Sequence, residues 1–417
     1  MKNESRIKYA CYATNVSMAA IGSLSPVLFI TFHDNYGISY SLLGLLVLIN
    51  FVTQLSVDLI LSFFSHKFNL SMLVKTIPIL TAVGFLIYGI WPFFFSKSVY
   101  LGLVLGTIVF SASGGLSEVL MSPLVAALPS EEPEHEMSKL HSIYAWGVVG
   151  VIIFATLFLQ FAGDKNWMYL PIVFTSIPVV AFALFFKTTL PDLQTGDKVT
   201  GVAELLKNKQ LWLCVFAIFL GGASECTMAQ WSSGYLEQAL GIPKVWGDVF
   251  GVALFSVALG LGRSLYAKHG ENIEKFLLLG AIGAAVCYLL AAVSPFPFIG
   301  LIACACTGFC VSMMWPGSLI VSSKRIPAGG VFVYAMMASG GDLGASIAPQ
   351  LVGIVADGVG ANTAFSSLAK DLGITLEQLG MKCGMLLGMF FPIVAIGVYA
   401  WLVRSEKTRK KKGTGNG

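Results

Sequence analysis

The chain has 417 residues, 56% of them hydrophobic and only 12% charged, with a mean hydropathy of +0.79. Soluble domains carry about twice that charged fraction, so lipid must be the solvent for most of this apolar surface. The formal net charge of +4 decides little by itself, because placement along the chain matters more than the sum.

A spanning helix needs about 20 mainly apolar residues. In chain order, such stretches run over 8–32, 41–65, 73–95, 99–128, 139–162, 167–187, 210–240, 247–267, 274–293, 297–321, 329–355 and 381–403. They predict an all-α membrane protein with twelve transmembrane helices. The first stretch is too long for a cleaved secretion signal and lacks a small-residue cleavage site, so it is expected to remain as the first span. A polar segment with Pro191, Gly196 and Gly201 separates six stretches from six. The expected organisation is an N-terminal six-helix bundle over 1–187, a cytoplasmic linker over 188–209, a C-terminal six-helix bundle over 210–403 and a basic tail over 404–417. Residues 202–209 read as a short surface helix. The loop 356–380, with SSLAKDLGITLEQLG, reads as carrying an amphipathic surface helix.

Positive charge orients the chain. With both termini cytoplasmic, twenty Lys and Arg fall in inside loops and tails, against Lys97, Lys165, Lys244, Lys370 and Lys382 outside; Arg263, within a helix, completes the twenty-six. That bias places the termini inside a multi-pass protein of the cell (inner) membrane. The KTRKKK tail reads as a topology anchor that meets anionic lipid, with nucleic-acid binding a remote alternative.

All eight cysteines lie in or beside apolar stretches. Cys304, Cys306 and Cys310 share a helix without a nearby His, so they read as small hydrophobes and no metal or cofactor is expected. No phosphate-binding Gly-x-x-x-x-Gly-Lys-Ser/Thr string, His-Glu-x-x-His or Gly-x-Ser-x-Gly motif occurs, so ATP-driven transport and hydrolysis have no support and the chain does not read as an enzyme.

Glu118, Glu225 and Asp342 each lie ten or more residues inside an apolar stretch. An ionised side chain at membrane depth is expensive and normally faces a wet cavity. At 1.5 Å per residue, ten to fifteen residues reach about half of a 30 Å hydrocarbon core, so all three acids, from both halves, sit near one plane. Transporters built from paired bundles bind at that plane. These three are the candidate proton-coupling residues; the structural alternative is an acid held by hydrogen bonds or a base, and for Asp342 a hinge among glycines. No base stands at that plane, so the cavity is expected to repel anions.

Asn50, Gln54 and Asp58 fall at spacing four, on one helical face, a pattern that lines water more than lipid. Asp58 and Arg263 lie nearer the inner ends of their helices. They form either a gating salt bridge, or a helix cap and a snorkelling arginine. Trp146, Trp231, Trp315, Tyr235 and Tyr334 are candidates for stacking on a sugar or base, with Gln230 and His141 beside them; ordinary packing is the alternative. The 44 glycines permit the close helix contact and sliding that alternating access requires.

Two six-span halves with inside termini and short basic loops after spans two and eight resemble the major facilitator superfamily over nearly the whole chain. GGLSEVLMSPLVAALP, with Glu118, Ser122 and Pro123, is similar to the fourth helix of the bacterial fucose permease group. ASECTMAQWSSGYL, with Glu225, Met228, Trp231, Ser232 and Tyr235, resembles that group's seventh helix, and GGDLGASIAPQLVGIVAD, with Asp342, Gly344, Pro349, Gly353 and Asp357, its eleventh. The superfamily's Asp-Arg-x-Gly-x-Arg loop after helix two stands here as His66-Lys67-Phe68-Asn69-Leu70-Ser71, without the acid, the glycine and the final base. The resemblance implies a sugar:proton symporter with Glu118 as proton carrier; at Ser122, a candidate solute contact, the group more often has Asn, and a monomer is expected. A small neutral solute, protons and the bilayer are then its partners. A proton antiporter exporting drugs or metabolites and a transport-dead sensor of the same fold remain the alternatives.

Overall fold

The computed structural model describes residues 3–64, 67–129, 133–191, 202–269, 272–326 and 330–413, which are almost entirely helical. The chain divides into two compact units, Met1–Lys198 and Val199–Gly417. The first holds α1 (Asn3–Val27), α2 (Phe29–Tyr36), α3 (Tyr40–Phe64), α4 (Leu70–Phe94), α5 (Val99–Ala126), α6 (Pro133–Ala162), α7 (Tyr169–Phe174) and α8 (Ser176–Phe185). The second holds α9 (Val202–Lys207), α10 (Lys209–Gln238), α11 (Lys244–Trp246), a π-helical segment Gly247–Ala253, α12 (Leu254–His269), α13 (Ile273–Val293), α14 (Pro297–Val311), α15 (Met314–Arg325), α16 (Gly330–Gly360), α17 (Ser366–Asp371) and α18 (Leu376–Gly413).

Among the described residues, each apolar stretch read from the sequence lies mostly on helix. Among the described residues nine helices are long and apolar enough to cross a membrane, and the bent pair α1–α2 makes a tenth. Trp146–Ala162 and Tyr169–Phe185 are apolar but shorter.

Three stretches expected to be continuous are broken, and prolines explain where. A proline has no amide to give the carbonyl four residues earlier. Pro26 precedes the 42° bend between α1 and α2. Pro178 has no N–H for the Phe174 carbonyl, and α7 ends at Phe174. Pro316 cannot engage Ser312 O, and α14 ends at Val311. The amphipathic surface helix expected within the 356–380 loop is also divided. α17 closes on Gly373 (φ 66°), with Ile374 N bonded back to Ala369 O. Thr375 and Gln378 then exchange backbone and side-chain bonds of 3.1 and 3.0 Å, a capping box that starts α18.

Lipid is as apolar as these side chains, so helix contact rests on close packing and interhelical hydrogen bonds. In the first unit α5 packs on α3, α4 and α1, while α1 also meets α6 and α8. Ile7, Cys11, Leu61, Ile77, Leu120, Leu124 and Phe185 form an apolar core at the end where α1 begins. Asn3 Nδ2 and Lys75 Nζ donate to Thr189 O and Thr188 O there, both at 2.8 Å. In the second unit α10 is central, packed on α16, α18 and α15. A Cβ on Gly344 would overlap Phe219 O, so the backbones of α16 and α10 are in direct contact.

Candidate functional site

In the first unit the polar stripe of α3 faces a second one on α5. Asn50 Oδ1 accepts from Gln54 Nε2 at 3.1 Å and from Ser111 Oγ at 2.6 Å, all three buried. One turn on, a Cβ at Gly115 would stand 2.9 Å from Gln54 O and 3.1 Å from Asp58 Oδ1. The missing side chain is what lets α5 lie against this stripe. It also brings Glu118, three residues later, to Asp58: their nearest carboxylate oxygens lie within 4.8 Å. At that separation two full charges repel by roughly 3 kcal/mol at the effective dielectric of a protein. Asp58 is 7% exposed, and its Oδ1 has no hydrogen-bond partner among the described residues. Glu118 is exposed while its neighbours Leu116 and Ser117 are buried. Neither acid pairs with Lys or Arg among the described residues. Ser111, seven residues before Glu118 on the same face, is a member of the site that the sequence reading missed; that spacing was the available signal.

The second unit answers with an ion pair. Arg263 Nη2 lies 3.4 Å from Glu225 Oε1, and Arg263 Nε donates to Ser312 O at 3.1 Å. That carbonyl is the one Pro316 leaves without a helical donor. The expectation of no base to offset the buried acids is therefore corrected for Glu225: the long Arg263 chain reaches back along α12 to it. Glu225 Oε2 remains buried without a partner among the described residues. Asp342 is 4% exposed on α16, next to Gly341, whose position abuts the Trp315 ring.

The remaining candidates divide. Trp231 is fully buried, and its Nε1 donates to Pro349 O at 2.9 Å; Tyr235 is equally buried, with its hydroxyl donating to Ala291 O at 2.6 Å. Both serve packing between helices of their own unit. Gln230 is buried. Trp315 is half-buried against Gly222 and Gly341. Trp146 is 71% exposed and lines an apolar cleft of about 520 Å³ with Val16, Phe154, Phe174 and Ile177. The side chains of Ser122, His141 and Tyr334 lie outside the described residues, as does His66 of the altered loop.

A buried pair escaped the sequence reading altogether. Asp248, in the π-helical segment and fully buried, accepts from Ser233 Oγ and pairs with Lys244 Nζ at 3.2 Å. Lys244 read only as a loop charge because its partner lies a turn inside the following helix.

The sequence pattern described as Major Facilitator Superfamily matches residues 10–349. No curated protein matches the chain in sequence. Among solved structures, a bacterial homolog of the human lysosomal transporter Spinster, inward-facing and occupied, superposes with a TM-score of 0.75 at 13% identity over 97% of each chain. A D-xylose-proton symporter gives 0.65 at 15% identity over 94% of this chain and 97% of that one. The E. coli fucose:proton symporter gives 0.57 at 14% over 94% and 99%. At such identities the likeness speaks to fold alone. The pattern covers most of the chain and the fold agrees with it: the chain belongs to the Major Facilitator Superfamily and is a membrane transporter.

Proposed function

We propose that this transporter moves a small, neutral, sugar-like solute by proton-coupled symport. Its twelve apolar stretches would cross a cell membrane with both termini cytoplasmic, an orientation supported by the skew of Lys and Arg between alternate loops. The observation that carries the coupling is the state of Glu118. It is an exposed carboxylate on a buried polar face, eight residues from the end of α5, with no Lys or Arg partner among the described residues. A group so placed takes a proton from water on one side and releases it to the other as access alternates. Glu225, tied to Arg263, is less free to do so. Asn50, Gln54 and Ser111 supply the amide and hydroxyl groups that a neutral polyol would engage, and the carboxylates disfavour an anion. Fold neighbours that are a fucose:proton symporter, a D-xylose-proton symporter and a nucleoside transporter make sugars and nucleosides the first solutes to try.

The experiment is a thermal-shift screen of purified protein against sugars, nucleosides and polyols, followed by uptake of the stabilising solute into proteoliposomes under an imposed pH gradient. Glu118→Gln is expected to lose uphill accumulation and keep counterflow exchange. Uphill accumulation at the wild-type level in that variant would sink the assignment.

A further inference from the structure

We infer that Asp58 is the second half of the proton site: Asp58 and Glu118 hold one proton between them, and the pair, not Glu118 alone, is the coupling unit. The inference rests on the proton-coupled reading of Glu118 given above.

Three observations carry it. The nearest oxygens of the two carboxylates lie within 4.8 Å, so both cannot be ionised without mutual repulsion. Asp58 is buried to more than nine-tenths, and its Oδ1 lacks a donor among the described residues. A buried acceptor without a donor is costly, and a carboxylate more so.

Among the described residues, the hydroxyl and amide groups nearest the pair are seen donating elsewhere. Gln54 Nε2 and Ser111 Oγ both donate to Asn50 Oδ1. Ser113 Oγ donates to Phe110 O and Ser117 Oγ to Ser113 O. A protonated Glu118 supplies the missing O–H. The same proton then neutralises the exposed acid and satisfies the buried one.

Charged groups on the packed elements do not substitute for it. On α4, Lys75 donates to Thr188 O, and on α1, Arg6 donates to Ala183 O while Glu4 is exposed and Lys8 is engaged. The titratable side chains at the start of α6, Glu134, His135, Glu136, Lys139 and His141, lie outside the described residues. Leu61, Leu120 and Leu124 pack as an apolar layer on the side of the pair nearer the start of α1. Such a layer hinders leakage of the proton by that route. In one cycle, H⁺ from water adds to a Glu118 oxygen, its O–H is shared with the Asp58 carboxylate, and loss of H⁺ to water on the other side restores the dianion.

The test needs no solute. Infrared spectra of the full-length protein in liposomes report the C=O stretch of a protonated carboxyl, which disappears as pH is raised. Wild type is expected to show this band at neutral pH, and Glu118→Gln and Asp58→Asn should each abolish or displace it. The double variant should lose no more intensity than either single one, because one proton is involved. Asp58→Glu should keep the band. A band that survives Asp58→Asn unchanged, or losses that add in the double variant, overturns the pairing.

Transport separates the two failures. If Glu118→Gln loses uphill accumulation of the solute found by screening but Asp58→Asn does not, the pairing fails and the role of Glu118 stands. If neither loses it, the proton-coupled reading itself fails. Size-exclusion profiles and thermal unfolding midpoints near the wild-type values show that the variants fold. Accumulation driven by a Na⁺ gradient at equal pH on both sides would also overturn the proposal.

Discussion

Arg263 donates its Nε–H to the carbonyl of Ser312, a carbonyl left open because Pro316 has no amide. The helix break between α14 and α15 and the ion pair with Glu225 are thus one arrangement. A guanidinium at the end of α14 also meets the negative end of that helix's dipole.

Removing this arginine leaves both Glu225 oxygens without a partner among the described residues. Arg263→Ala should lower stability by about 1–2 kcal/mol, below the 3–5 kcal/mol of a fully buried pair, because the Arg263 side chain is 44% exposed. Thermal unfolding in detergent checks this. Arg263→Ala combined with Glu225→Gln should cost less than the two singles together; strict additivity would argue against the pair.

Two glycines on α16 make opposite predictions. A Cβ on Gly344 would overlap the Phe219 backbone, whereas one on Gly358 would meet open space. Gly344→Ala should cost about 1–3 kcal/mol through forced separation of α10 and α16. Gly358→Ala should be neutral or gain up to about 1 kcal/mol from helix propensity. Equal midpoints for the two variants would contradict the close approach.

Trp231→Phe keeps most of the ring volume but removes the N–H bonded to Pro349 O. A loss of about 1 kcal/mol is expected in thermal unfolding, with solute affinity unchanged. A large loss of affinity without loss of stability would return Trp231 to the binding site.

How much of this was legible follows from what a sequence encodes locally. Each apolar stretch became helix because period and length suffice for that. The stripe Asn50–Gln54–Asp58 was readable at spacing four, and it does face a polar neighbour. What failed to show were ties between distant positions. Arg263 with Glu225 and Asn50 with Ser111 are separated by 38 and 61 residues, and nothing in either local pattern names the other. The breaks at Leu28 and Ser312 were announced by Pro26 and Pro316, but hydropathy counting ignores a missing amide. Trp231 resembled a stacking platform by type and neighbours. Its burial depends on α16 crossing it, which periodicity along α10 does not encode.

The seating of Phe219 O against Gly344 bears on motion. A carbonyl resting in a notch resists slip along the helix axis, and no intervening side chain is present to deform. α10 and α16 should therefore travel as a single stiff strut, leaving any rocking within the second unit to contacts made through softer side chains.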